Sequence, residues 1–125
     1  LDVLGHEGIG CIAFSPLAQG LLTDRYLKTV PTDSRMARGQ FLKKENVSEA
    51  RFEVIRQLND FALNRGQSLA QMALAWLLKD NRVTSVLFGA SSVNQLQANL
   101  GCLEKKNFTA DEIAAIEKIL SGDKK

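Results

Sequence analysis

Ser85-Val86-Leu87-Phe88-Gly89-Ala90-Ser91-Ser92-Val93-Asn94-Gln95-Leu96-Gln97-Ala98-Asn99 is a short apolar run that passes through a glycine into a pair of serines and then into helical spacing. Read outward from Phe88, it is a buried-type strand followed by a helix start. A segment near the beginning, Ile12-Ala13-Phe14-Ser15-Pro16-Leu17-Ala18-Gln19-Gly20-Leu21-Leu22, has the same grammar. In α/β proteins such points are where ligands bind, because the carboxyl ends of parallel strands and the helix N-termini beyond them offer unsatisfied N–H groups to anions.

Around these two segments the chain alternates strand and helix. Gly8 and Gly10 bracket the turn into an apolar run from Ile9 to Phe14, which the flanking breakers mark as a strand buried on both faces; Pro16 ends it. From Ser15 to about Asn46 no period is sustained, and Pro31, Thr32, Asp33, Ser34 and Gly39 break the chain, apart from a helical turn expected near Leu21 to Tyr26. Loops of that length in compact domains are usually functional, and this one would lie over the strand ends as a flap. Asn46 with Glu49 reads as a capping start for a helix whose Phe52, Ile55, Leu58, Phe61 and Ala62 share one face, with Gly66 as its stop.

Ser68 with Gln71 repeats the capping pattern for a helix from Leu69 to Leu78 that is apolar almost all round and must be largely buried. Asp80-Asn81 breaks it, and Val83 to Phe88 forms the second strand. Ser92 with Gln95 caps a third helix, with Val93, Leu96, Leu100 and Leu103 expected to face inward. Thr109 with Glu112 opens the last, which keeps Ile113, Ile116, Ile119 and Leu120 on one side and stops near Gly122. The class is α/β with a right-handed crossover between parallel strands. A doubly wound sheet and a barrel would both read this way.

Bulk properties narrow the function classes. A 45% apolar content suits a folded chain, and a net charge of +2 from 16 basic and 14 acidic residues offers no basic face for nucleic acid. Cys11 and Cys102 lack C-x-x-C spacing or a partner histidine, so no zinc site is expected and both read as reduced, buried thiols. No segment approaches the ~20 apolar residues of a membrane span. With no signal-peptide pattern either, the expectation is a cytoplasmic protein.

In their order and wording the two segments resemble the last two barrel strands of the aldo-keto reductases, NADP-dependent oxidoreductases built on a TIM (β/α)8 barrel. Within that family the likeness is to the branch of the bacterial glyceraldehyde-phosphate reductases and the potassium-channel β subunits, and it runs from about Gly8 to Leu103. A barrel of this kind needs about 250 residues. Leu1-Asp2-Val3-Leu4 reads as the last turns of a helix under way, so residues 1–125 are expected to be the C-terminal portion of one barrel domain, covering about the last two strands and their helices. An N-terminal part would then complete the barrel, covering apolar surface that the Leu69–Leu78 helix is expected to expose.

The resemblance implies roles residue by residue. Phe14 stands where the family's aromatic residue stacks on the nicotinamide, and Ser15, Pro16, Leu17, Gln19 and Gly20 match the segment that holds the pyrophosphate side of the cofactor. Arg25 and the Arg35 of Ser34-Arg35 match basic flap residues near the cofactor phosphates. Gly89, Ser91, Gln95 and Asn99 match positions used for the adenosine 2′-phosphate, ribose and adenine. Gln95 stands where many members have Arg and Ala98 where many have Glu, which leaves the choice between NADP and NAD open. Ser92 with Gln95 can equally be a capping box and nothing more.

The family's catalytic Asp, Tyr, Lys and His belong to the first half of the barrel, and none of those motifs occurs here; Tyr26 and His6 lie in no matching context. The implied partners are therefore a small carbonyl substrate and the remainder of the barrel, with room for a homo-oligomer. Two rival expectations stand beside the reductase: a non-catalytic NADP-binding regulatory subunit and a self-standing small α/β module.

Overall fold

The computed structural model describes residues 1–23 and 48–122. In chain order these form α1 (Asp2–His6), β1 (Cys11–Phe14), a 3₁₀ turn at Ala18–Gly20, α2 (Glu49–Asn64), α3 (Leu69–Leu78), β2 (Val83–Leu87), α4 (Val93–Leu100), a 3₁₀ segment at Gly101–Lys105 and α5 (Ala110–Ser121). A 3₁₀ turn lies at Ala18–Gly20, while the helical turn expected at Leu21 to Tyr26 falls largely outside the described residues. Residues 24–47, and with them Arg25, Arg35, Tyr26 and the expected Asn46 cap, lie outside the described residues.

Helix boundaries follow from their caps. The Ser48 side chain accepts from Arg51 N at 3.2 Å, so Ser48 is the N-cap of α2. At the other end Gly66 takes φ +79°, and Gln67 N donates to Ala62 O while Gly66 N donates to Leu63 O, the paired bonds of a Schellman stop. Two of the expected capping boxes are present, Ser68 with Gln71 on α3 and Thr109 with Glu112 on α5.

α3 is the centre of the packing. One side joins Ile55, Leu58 and Ala62 of α2 and Ile116 of α5 through Leu69 and Met72; the other, through Leu74 and Ala75, meets Cys102, Leu17, Val86 and Phe88. With cores on both sides, a helix with no polar face is what the sequence must supply. None of its residues is fully exposed. The expectation of an uncovered α3 face is thus corrected.

β1 and β2 pair in parallel, with Ala13 opposite Val86, Phe14 opposite Leu87 and a register shift between Cys11 and Ile12. Val86 packs toward α3, whereas Ile12, Phe14 and Leu87 are 70%, 79% and 64% exposed on the other face. The expectation of strands buried on both faces therefore holds for one face only among the described residues. The first strand is also shorter than Ile9–Phe14, since its pairing begins at Cys11, and Phe88 lies beyond the end of β2.

α4 corrects a second expectation. Val93, Leu96, Leu100 and Leu103 are exposed, and the residue of α4 that is buried is Asn99. Spacing identifies an apolar stripe but not the neighbour that covers it, and among the described residues nothing does. Cys102 is buried, as expected, and burial raises its thiol pKa; Cys11 is only half-buried. Among the described residues no helix is long and apolar enough to cross a membrane, and no cluster of metal-ligating side chains occurs.

Candidate functional site

Parallel pairing fixes the first feature of the site. With Phe14 opposite Leu87, the segments beginning at Ser15 and Phe88 leave the sheet from the same edge, so the two motifs share one rim. Phe14 stands at that rim on the exposed face, its ring free to receive a flat partner.

The loop after β1 has an unusual backbone. Ser15, Ala18 and Gln19 take φ of 56°, 46° and 60°, followed by Gly20 at 96°. Each non-glycine residue in the left-handed region costs roughly 1–2 kcal/mol, and such strain gathers at ligand sites. Ala18 N donates to Ser15 O, and Gly20 N and Leu22 N both donate to Leu17 O, holding the loop folded on itself. Leu17 anchors it to the core beside Leu74 and Cys102. Gln19 carries a buried Oε1 with no hydrogen-bond partner among the described residues, in a loop otherwise bonded to itself. No residue pattern announced this strain, because alanine and glutamine do not ordinarily adopt the conformation.

After β2, Gly89 is exposed, and a side chain added there would meet open space. The capping of α4 departs from expectation. Ser92 Oγ accepts from Gln95 N at 3.1 Å, as a capping box requires, but Gln95 Oε1 turns instead to Ser91, accepting from its N at 2.7 Å and its Oγ at 3.0 Å. Gln95 and Ser91 are thereby locked together one residue outside the box. One turn further, Asn99 is 5% exposed and its Nδ2 has no partner among the described residues. A buried amide donor left unpaired costs about 1–3 kcal/mol unless something bonds it.

The residues expected at a cofactor site fall into three groups. Phe14, Ser15, Pro16, Leu17, Gln19 and Gly20 lie on the first segment, and Gly89, Ser91, Gln95 and Asn99 on the second, at the same end of the sheet. Arg25 and Arg35 lie outside the described residues. The concavity lined by Lys79, Asp80, Arg82 and Phe108 is at the opposite end of β2, where Arg82 bonds both oxygens of Asp80, holds its carboxyl well below the usual range and pairs with Asp2 of α1. It takes no part in the site.

A strained turn and a serine-capped helix stand on one edge of a parallel α/β sheet, the place where such sheets present free N–H groups. The chain belongs to the Aldo/keto reductase family, whose profile matches residues 1–121, a longer span than the Gly8 to Leu103 likeness. It is 52% identical over 122 residues to the L-glyceraldehyde 3-phosphate reductase of Escherichia coli, in strain K12 and in O157:H7 alike, a match covering 94% of this chain and 35% of that protein. It is also 35% identical over 107 residues to a probable voltage-gated potassium channel subunit beta of Oryza sativa subsp. japonica, covering 83% of this chain and 33% of that one. The chain thus spans about a third of the length of the curated relatives it matches.

Proposed function

We propose that this chain is the C-terminal portion of a TIM-barrel aldo-keto reductase, and that it supplies the NADP-binding side of a cytoplasmic enzyme that reduces small aldehydes or ketones to alcohols. The observation that carries the reading is the shared rim, where the parallel register brings the Ser15–Gly20 turn and the Gly89–Asn99 helix start to one edge. The 52% identity to a glyceraldehyde-phosphate reductase supports the choice of chemistry and makes a small phosphorylated aldehyde the first substrate to test.

The residues present fit a dinucleotide. Asn99 holds a buried donor suited to a heteroatom of adenine. Ser91 and Ser92 stand at the start of α4, where backbone N–H groups favour an anion. With Gln95 Oε1 committed to Ser91, a 2′-phosphate meets the NH2 end of the amide. Phe14 offers its exposed face to the nicotinamide and shields one side of it. A bound nicotinamide cofactor supplies the hydride. This chain's residues bind and orient it, and the proton donor belongs to the portion of the barrel outside this sequence.

A non-catalytic NADP-binding regulatory subunit is the second reading, favoured by the 35% identity to the channel-subunit relative. One assay separates the two. Full-length protein mixed with NADPH and a panel of small aldehydes, glyceraldehyde 3-phosphate among them, is expected to consume NADPH only when aldehyde is present. NADPH binding without turnover would favour the regulatory subunit; absence of both would remove the proposal.

A further inference from the structure

We infer that Gln71, which lies on α3 outside every segment assigned to the cofactor, is a positioning residue for the adenosine end of the site; this rests on the nucleotide reading above. Its amide is used at both ends. Oε1 accepts from Ser68 N at 2.9 Å, completing the cap of α3, and Nε2 donates to Ala98 O at 2.7 Å, across to α4. Donor and acceptor are fixed by those partners, since a backbone N–H can only be met by the oxygen and a carbonyl only by the nitrogen. Ala98 O belongs to the last turn of α4, where it also accepts from the backbone N–H of the Gly101 cap, so Gln71 adds a second donor from another helix.

Gly101 makes this bridge possible. A Cβ built on Gly101 would stand 2.6 Å from Gln71 Nε2, so any side chain there would push the amide aside. The residue next to the bridged carbonyl is Asn99, buried and with its Nδ2 unpartnered among the described residues. Gln71 therefore ties the rigid start of α3 to the backbone that presents Asn99. Binding groups must be held within about 0.5 Å of their productive position, and this outer tie serves that end on a helix whose apolar stripe is exposed among the described residues.

The test uses the full-length protein with two probes, NADPH and adenosine 2′,5′-bisphosphate, which carries only the adenosine end. Gln71→Glu keeps the acceptor for Ser68 N and removes the donor to Ala98 O. It is expected to weaken both probes by the same factor, roughly tenfold, while kcat at saturating NADPH stays within about twofold. Added to Asn99→Leu, it should weaken the bisphosphate by less than about twofold further, because the two act on one contact. Gly101→Ala should reproduce the loss alone and add nothing in a Gln71→Ala background. Wild-type affinity in Gln71→Glu, or losses that multiply with Asn99→Leu, would overturn the positioning role. If the wild-type protein itself binds neither probe, the nucleotide reading fails instead.

Discussion

Replacing Arg65 with Ala is expected to cost about 1–3 kcal/mol of stability, the range for leaving hydrogen-bonding groups unsatisfied when a buried partner is removed. The Arg65 side chain is almost wholly enclosed and joins the turn after α2 to the segment before α5. Its Nε donates to Gln67 Oε1 at 2.8 Å, and Nη2 donates to Lys105 O at 3.0 Å and Asn107 O at 2.5 Å. Nη1 pairs with Glu112, and the guanidinium lies 3.9 Å over the Phe108 ring, which itself meets Trp76 edge-on. Removing it takes this donor from Gln67 Oε1, Asn107 O and the Glu112 carboxylate, while Lys105 O keeps its bond from Gln67 Nε2.

The same lock gives a pH dependence. The Thr109 N–H and then Arg65 hold the Glu112 carboxyl below its ordinary value. A carboxylate whose folded value is depressed adds stability above its unfolded pKa of about 4.3 and loses it as pH falls through the folded value. Chemical denaturation of the full-length protein should therefore show the gap between wild type and Arg65→Ala narrowing on acidification. A loss below about 1 kcal/mol near neutral pH would show that the lock is not a stabilising element.

Asn99→Leu is expected to act in opposite directions on stability and on binding. Exchanging a buried, unpaired amide for an apolar group of similar size removes a desolvated donor, so the nucleotide-free protein should be as stable as wild type or more so. NADPH and NADH should both bind roughly ten- to a hundredfold more weakly, since both carry adenine and the lost bond leaves a ligand atom unpaired. Thermal melting without nucleotide, set beside fluorescence titration with it, measures the two effects separately. A destabilised variant with unchanged affinity would make Asn99 a packing residue.

How far the sequence was legible depends on whether the information is local. The caps at Ser68 and Thr109, the stop at Gly66 and the extent of α3 depend on residues within one turn of each other, and they read correctly. What depends on a distant neighbour did not. The apolar stripe of α4 was visible, but that Asn99 rather than Leu96 would be buried depends on how α3 approaches through Gln71. Arg65 reads as an ordinary residue before a helix-ending glycine, and its partners lie about forty positions away at Lys105, Asn107 and Glu112. The rim itself was legible because strand-to-loop wording is local and parallel pairing follows from the crossover. The left-handed turn at Ser15, Ala18 and Gln19 was not, because those residue types ordinarily avoid it.

The proposed function requires this rim to hold NADP, with the Ser91–Gln95 pair toward the 2′-phosphate and Phe14 under the nicotinamide. Titrating NADPH and NADH by fluorescence into full-length wild type, Gln95→Ala and Phe14→Ala tests it directly. Only NADPH carries the 2′-phosphate dianion, and a hydrogen bond to a charged group is worth about 1.5–3 kcal/mol. Gln95→Ala should therefore lower the NADPH-to-NADH affinity ratio by roughly tenfold or more, whereas Phe14→Ala should weaken both cofactors alike and leave the ratio where it was. An unchanged ratio in Gln95→Ala would contradict the account, even in a protein that proved to be a reductase.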